Sequence, residues 1–211
     1  MNILDLFENL PEGFRLAERE DIPLVTLTVA QAFTDYEYPV PSVKVKYKAL
    51  LKYFYELSER CAINAIENGV ILTNEDFSAV MFIAPYDKRA DYDVDSLYNN
   101  LKTNAGEEAA ENILQIFDYI LEAESKIKLK ENTLFIDMFA VQTPKQGQKL
   151  GSKLMRELIS QCIKKDVGIF LYTNTKKNEA IYNHFGFETV SAVHKDEINS
   201  DTYFLLCSSE K

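Results

Sequence analysis

Residues 134–153 read Leu134-Phe135-Ile136-Asp137-Met138-Phe139-Ala140-Val141-Gln142-Thr143-Pro144-Lys145-Gln146-Gly147-Gln148-Lys149-Leu150-Gly151-Ser152-Lys153. The first eight are apolar except for Asp137, rich in aromatic and branched side chains, and stopped by a turn at Thr143-Pro144. This suits a buried strand. Beyond the turn Leu150, Leu154, Leu158, Cys162 and Ile163 recur at helical spacing, which predicts a helix starting between Gly147 and Gly151. Strand, short glycine-bearing loop and helix together aim unpaired backbone N–H groups and the positive end of a helix dipole at one point. Such a point binds phosphate.

Spacing decides which phosphate ligand. A Walker loop requires glycine five residues after its first glycine, but Ser152 stands five after Gly147; the Gly-x-Gly-x-x-Gly dinucleotide fingerprint is also missing. What the stretch resembles is the acetyl-CoA loop of the GNAT N-acetyltransferases, Gln/Arg-x-x-Gly-x-Gly/Ala, which follows a strand ending in Ala-Val and a proline turn. Here it runs Gln146-Gly147-Gln148-Lys149-Leu150-Gly151-Ser152, with Val141 five residues before Gln146 and with Lys149 in the place of the family's first glycine. A second segment stands where that family has its next motif. Leu171-Tyr172-Thr173-Asn174 reads as a strand end, and Asn178 to Glu188 resembles Asn-x-x-x-Tyr-x-x-x-Gly-Phe through Asn178, Tyr182, Gly186 and Phe187. Two such segments in order, a strand and a helix apart, are far more specific than one glycine loop.

The resemblance, specific over 134–188 and architectural over 14–85, carries a set of expectations. It implies an α+β acyl-CoA N-acyltransferase fold over 1–211 as one domain: a single mixed, mostly antiparallel sheet with helices on both faces and a short N-terminal helix, 1–12. It implies acetyl-CoA or another acyl-CoA as co-substrate. The pyrophosphate would rest on the amides of Gln146, Gly147, Gln148, Lys149, Leu150 and Gly151, with Ser152 adding a hydroxyl and the Lys149 ammonium reaching phosphate from outside. The pantetheine arm would pair like an added strand with Met138, Phe139, Ala140 and Val141. An amide at Phe139 or Ala140 would then polarise the thioester carbonyl. Tyr182 is the candidate acid, because a phenol of pKa ~10 beside a thiolate whose thiol has pKa ~8.5 can donate its proton. Asn178, one turn earlier on the same face, can bind the cofactor's amides. For the base, Asp137, Glu75, Asp76 and an ordered water chain all stay open. The activity implied is acetyl transfer to a primary amine of a small molecule or peptide. The alternatives are a non-catalytic acyl-CoA-binding or regulatory module, and an unrelated scaffold whose loop binds nothing.

Composition agrees with a globular protein: of 211 residues 46% are apolar and 27% charged. The net charge of −10 argues against a nucleic-acid surface and is compatible with a cationic acceptor. No basic leader or membrane-length apolar run is found. Cys61, Cys162 and Cys207 are odd in number and widely spaced, which favours buried thiols in a reducing cytoplasm; two histidines, His184 and His194, make a histidine-rich metal site improbable. The sequence leaves the oligomeric state open, a homodimer included.

Along the chain, 14–19 has strand period, followed by a helix in which Asp21 can cap, Pro23 stands early, and Leu24, Val25, Leu27 and Phe33 supply the buried face. Tyr36 and Tyr38, beside Pro39 and Pro41, fit packing and a substrate cleft equally; Tyr53 and Phe54 fit packing. Residues 62–73 and 76–85 read as a strand pair turning at Asn74-Glu75-Asp76. Residues 94–130 read as helix split near Asn104-Ala105-Gly106, with Ile113, Leu114, Phe117, Ile120 and Leu121 as the apolar stripe and Glu107, Glu108, Glu111 and Glu122 facing water. Strands over 168–173, 188–193 and 202–207 and a helix over 176–185 complete the reading, with His184 on the side of that helix away from Tyr182.

Overall fold

The long buried strand predicted from 134–141 is β4 (Thr133–Val141), and the remaining elements are arranged around it. The computed structural model describes residues 3–7, 10–34, 47–90, 93–196 and 199–208, so Tyr36, Tyr38, Pro39 and Pro41 lie outside the described residues. The strands β1 (Phe14–Leu16), β2 (Val70–Asn74), β3 (Ala79–Pro85), β5 (Gly168–Thr173), β6 (Glu188–Lys195) and β7 (Ser200–Cys207) join β4 in one seven-stranded sheet of order β1-β2-β3-β4-β5-β7-β6. Only β4 and β5 run parallel; every other neighbour pair is antiparallel. The mixed, mostly antiparallel sheet expected from the resemblance is therefore what forms.

Helices cover both faces. On one side α1 (Ile22–Thr34), α2 (Tyr47–Asn68), α3 (Val94–Ala105) and α4 (Glu107–Glu124) pack on Ile71, Val80, Phe82, Met138 and Ala140. On the other, α5 (Leu150–Lys164) places Leu154, Met155, Leu158 and Cys162 against Leu72, Met81, Ile83, Ile136 and Leu171. The short α6 (Lys176–His184) follows β5. With both faces covered, strand sequences read as near-continuous apolar runs.

Several expectations need correcting. The N-terminal helix 1–12 is, among the described residues, one 3-10 turn at Ile3–Leu6, held because Ile3, Leu6 and Phe7 are buried. The strand read over 62–73 begins only at Val70: α2 continues through Asn68 because Leu57, Cys61, Ala62 and Ala65 keep a helical buried stripe. Gly69 then passes so close to β3 that a Cβ there would lie 2.0 Å from the Ile83 carbonyl oxygen. On α1 the buried residues are Ile22, Val25, Thr26, Thr28, Val29 and Ala30, whereas Leu24 and Leu27 are 50% and 40% exposed. Asp21 ties β1 rather than capping a long helix, accepting from Arg15 Nη1 at 2.7 Å and from the Glu18 amide at 2.8 Å. Ile163 and Leu121 are exposed, and Glu124, at the end of α4, is buried and ion-paired to Arg89 at 3.2 Å.

Candidate active site

Two departures from a regular sheet make the site. In β4, Met138 faces Phe82 and Ile136 faces Ile83, so Asp137 is the extra residue of a β-bulge. Because side chains alternate faces, one extra residue exchanges them. Upstream, Leu134 and Ile136 point to the α5 side; downstream, Phe139 and Val141 do, while Met138 and Ala140 turn to α1 and α2. The second departure is a splay. β4 and β5 pair only at Thr133, Leu134 and Phe135 with Gly168, Ile169 and Phe170. Their remaining C-terminal residues diverge and open a cleft of about 520 Å³.

The cleft brings together most of the predicted site. Asp137, Met138, Phe139, Ala140 and Val141 form one wall, and Leu171 to Asn174 the other. Gln146, Gly147, Lys149, Leu150, Gly151 and Ser152 lie at its mouth with Asn178 and Tyr182. Gln148 does not line it; its amide reaches the Pro144 carbonyl at 3.4 Å. Neither Glu75 nor Asp76 lines it either. Asp76 organises the β2–β3 turn, accepting from the Ser78 hydroxyl and amide and from Asn74 Nδ2; the Ser78 hydroxyl first, then the Ser78 amide and the Lys145 ammonium, hold its carboxyl below the ordinary range. His184 is exposed and borders a separate shallow depression with Arg156, Ser160 and Phe185.

The mouth is built from backbone. After the 3-10 turn Thr143–Lys145, Gly147 (φ 78°) and Lys149 (φ 65°) take left-handed conformations and wind the chain into α5. The Gln146 side chain pins this loop to the Val141 carbonyl at 3.2 Å. The Lys153 amide makes an i to i−4 bond to Lys149, so the amides of Leu150, Gly151 and Ser152 belong to the first helical turn, where no helical carbonyl precedes them. Gly151 serves packing rather than open space: a Cβ there would sit 3.1 Å from Phe139 Cζ and Val141 Cγ2. In a chain of net charge −10, the cations lining the cleft are Lys145, Lys149 and Lys177, and Asp137 is the single carboxylate among the described lining residues. Backbone donors, a helix N-terminus and a cationic rim fit a diphosphate-bearing ligand.

Tyr182 is positioned by its helix. Thr175 caps α6 through its hydroxyl oxygen, which accepts from the Asn178 amide at 3.2 Å. The helix ends in a Schellman turn: Gly186 (φ 96°) donates to Asn183 and Phe187 to the Tyr182 carbonyl. The buried Phe187 ring then packs edge-on to Tyr182 at 5.8 Å. That is the physical content of the Gly-Phe pair.

A family model described as an acetyltransferase (GNAT) domain matches residues 97–199. Over those residues the chain is similar to a GNAT acetyltransferase domain. Solved structures agree in fold. Arylalkylamine N-acetyltransferase 2 from Aedes aegypti aligns at a TM-score of 0.63 with 12% identity, over 93% of this chain and 98% of that one. A histone acetyltransferase HPA2 and related acetyltransferase from Corynebacterium glutamicum aligns at 0.57 with 16% identity, over 92% and 93%. The C-terminal condensation domain of Ebony, solved with β-alanyl-dopamine, aligns at 0.61 with 8% identity, over 95% and 100%. No curated protein matches the sequence.

GNAT domains use acetyl-CoA or another acyl-CoA as co-substrate. The left-handed φ of Lys149 explains why the resembled loop has glycine there, since a side chain in that conformation costs roughly 1–2 kcal/mol. Lys149 is itself exposed and is one of the residues that line the cleft. Sequence reasoning missed Lys177 and the apolar far end of the cleft, lined by Phe33, Phe54, Leu57 and Phe117. Phe54 is 3% exposed, so packing and cleft lining coincide in one side chain. These residues come from three helices, and no local spacing links them.

Proposed function

We propose that the chain transfers an acetyl group from acetyl-CoA to a primary amine of a small molecule or peptide by direct attack, without a covalent enzyme intermediate, residues 1–211 acting as one unit in the cytoplasm. The observation that carries this reading is the splay of β4 from β5 beside the bulge, which leaves a strand edge leading to the N-terminus of α5. Bound acetyl-CoA supplies an activated thioester carbonyl and a thiol leaving group.

In this reading the amides of Leu150, Gly151 and Ser152, with Gly147 beside them, hold the diphosphate, and the Lys149 and Lys177 ammonium groups neutralise it from the rim. The main chain of Met138 to Val141 takes up the extended arm as an added strand. An amide at Phe139 or Ala140, aimed at the carbonyl oxygen, stabilises charge developing there. Tyr182 gives its phenolic proton to the departing sulfur, and Asn178 binds the arm's amides. Asp137, the one carboxylate in the described lining, receives the proton lost by the amine. Direct attack is supported by where the thiols lie: Cys61, Cys162 and Cys207 are buried in the core, and burial pushes the Cys162 thiol up to about 12.

Calorimetry with CoA and a thiol-release assay with acetyl-CoA and a panel of amines test the proposal. Binding with thiol release is expected. Heat of binding without turnover on a broad panel would instead support a non-catalytic module. Tyr182→Phe is expected to lower kcat by about 100-fold while leaving CoA affinity within a few-fold.

A further inference from the structure

The two ends of the cleft differ in chemistry. Toward the α5 and α6 mouth the lining carries Lys145, Lys149 and Lys177, whereas the other end is walled by Phe33 of α1, Phe54 and Leu57 of α2, and Phe117 of α4. The Phe33 and Phe54 rings lie 5.7 Å apart, and Phe54 and Leu57 are almost fully buried, so they form a firm floor. Asp137 lines the same cleft, at the bulge of β4.

Resting on the transferase reading above, we infer that the acceptor is a monoamine on an apolar body, aromatic or alkyl, whose ammonium meets Asp137 and whose body lies on Phe33, Phe54 and Phe117. A polycation or an aminosugar fits poorly, because its further charges or hydroxyls would be buried against phenyl rings without partners. A carboxylate in the lining also favours an ammonium over the tail of a long acyl chain. The ammonium gives one proton to Asp137, and the freed lone pair forms the C–N bond at the thioester carbonyl. The C–S bond then breaks, and the sulfur takes a proton from Tyr182, which recovers one from the new amide nitrogen. Asp137 releases its proton to water, so the balance is ammonium plus thioester giving amide, thiol and one proton.

The test compares kcat/KM for 2-phenylethylamine, hexylamine, ethylamine, spermidine and glucosamine with acetyl-CoA, alongside calorimetry of 2-phenylethylamine on the CoA-saturated protein. The expected outcome is binding, with 2-phenylethylamine about 100-fold better than ethylamine, as burial of a phenyl group on apolar walls predicts. Phe117→Ser should cut that ratio about tenfold, and Asp137→Asn should lower kcat for every amine used. Equal use of all amines, or a preference for spermidine or glucosamine, overturns this inference and leaves acetyl transfer standing. So does hexanoyl-CoA used ten times better than acetyl-CoA, which would give the apolar end to the acyl chain. No heat with CoA, or no thiol release with any amine, overturns the transferase reading itself.

Discussion

The two arms of the sheet are built to different degrees of closure. In the arm from β1 to β4, β3 follows β4 from Pro85–Leu134 to Ala79–Val141, interrupted only by the bulge. The arm of β5, β7 and β6 is zipped as fully within itself, β5 pairing β7 from Ile169 to Thr173. Between the arms there are three residue pairs, all at one end. The contrast teaches that the cleft is a sheet left unfinished, with aromatic packing below the junction holding the arms together. There Phe170 lies between Phe135 at 6.1 Å and Phe204 at 6.2 Å, with Tyr86 edge-on at 5.7 Å. The Tyr86 phenol is pushed up to about 12, chiefly by burial.

Removing that packing should do the most damage. Phe170→Ala is expected to cost about 3–5 kcal/mol, since a fully buried ring leaves a cavity that both arms must close over. Urea denaturation measures it, and a loss under about 1 kcal/mol would mean that the arms are joined elsewhere.

Gly151→Ala probes the open end of the junction, where α5 is pressed on β4. With the new methyl 3.1 Å from Phe139 and Val141, a destabilisation of about 1–3 kcal/mol and weaker CoA binding should appear together. Stability lost without any change in CoA affinity would separate the packing of α5 from the binding of the ligand.

Lys149→Gly works in the opposite direction. Relief of the left-handed backbone should stabilise the protein by about 1 kcal/mol, raising Tm by about 2–4 °C, while removal of the ammonium weakens CoA binding several-fold. A scan combined with a titration reads both, and an unchanged Tm would show that the lysine carries no strain.

The smallest effect belongs to the β6–β7 edge. His194 Nδ1 lies 2.8 Å from Asp201 and Nε2 3.2 Å from Asp196. The hydrogen bond to Asp201, then the charges of Asp201 and Asp196, raise its pKa above 6.5. A folded pKa above the unfolded one gives stability that is fully present below the unfolded value and is lost as pH rises through the folded value. Wild type should therefore exceed His194→Gln in Tm at about pH 5.5, the gap closing by about pH 8.5. A gap of the same size at both values would assign it to packing.

How much of this was legible in the sequence follows from how local each signal is. The loop from Gln146 to Ser152, the Asn178 to Phe187 motif and the turn between β2 and β3 are each written in consecutive residues, and all three form elements where they were expected. The start of β2 is not legible because Ala62-Ile63-Asn64-Ala65-Ile66 serves either period, and what ends α2 is the close passage of Gly69 over β3, a contact between distant residues. Leu24 and Leu27 stand outside the buried face because α1 buries two threonines in their stead; Thr28 donates to the Phe77 carbonyl at 2.7 Å. The bulge left no trace in Leu134 to Val141, since a strand covered on both faces has no alternation for an extra residue to interrupt. The apolar end of the cleft was hidden for another reason: its phenylalanines look like core in each of their helices, and most of their surface is core.

The bulge gives Asp137 a second importance that is independent of its charge. Ile136 and Met138 already face Ile83 and Phe82, consecutive residues of β3, so excising Asp137 would leave every neighbouring side chain on its own side and turn β4 into an unbroken strand. What would vanish is the local kink and added twist that a bulge imposes, next to where β4 parts from β5. The core could do without this residue; the opening beside it could not.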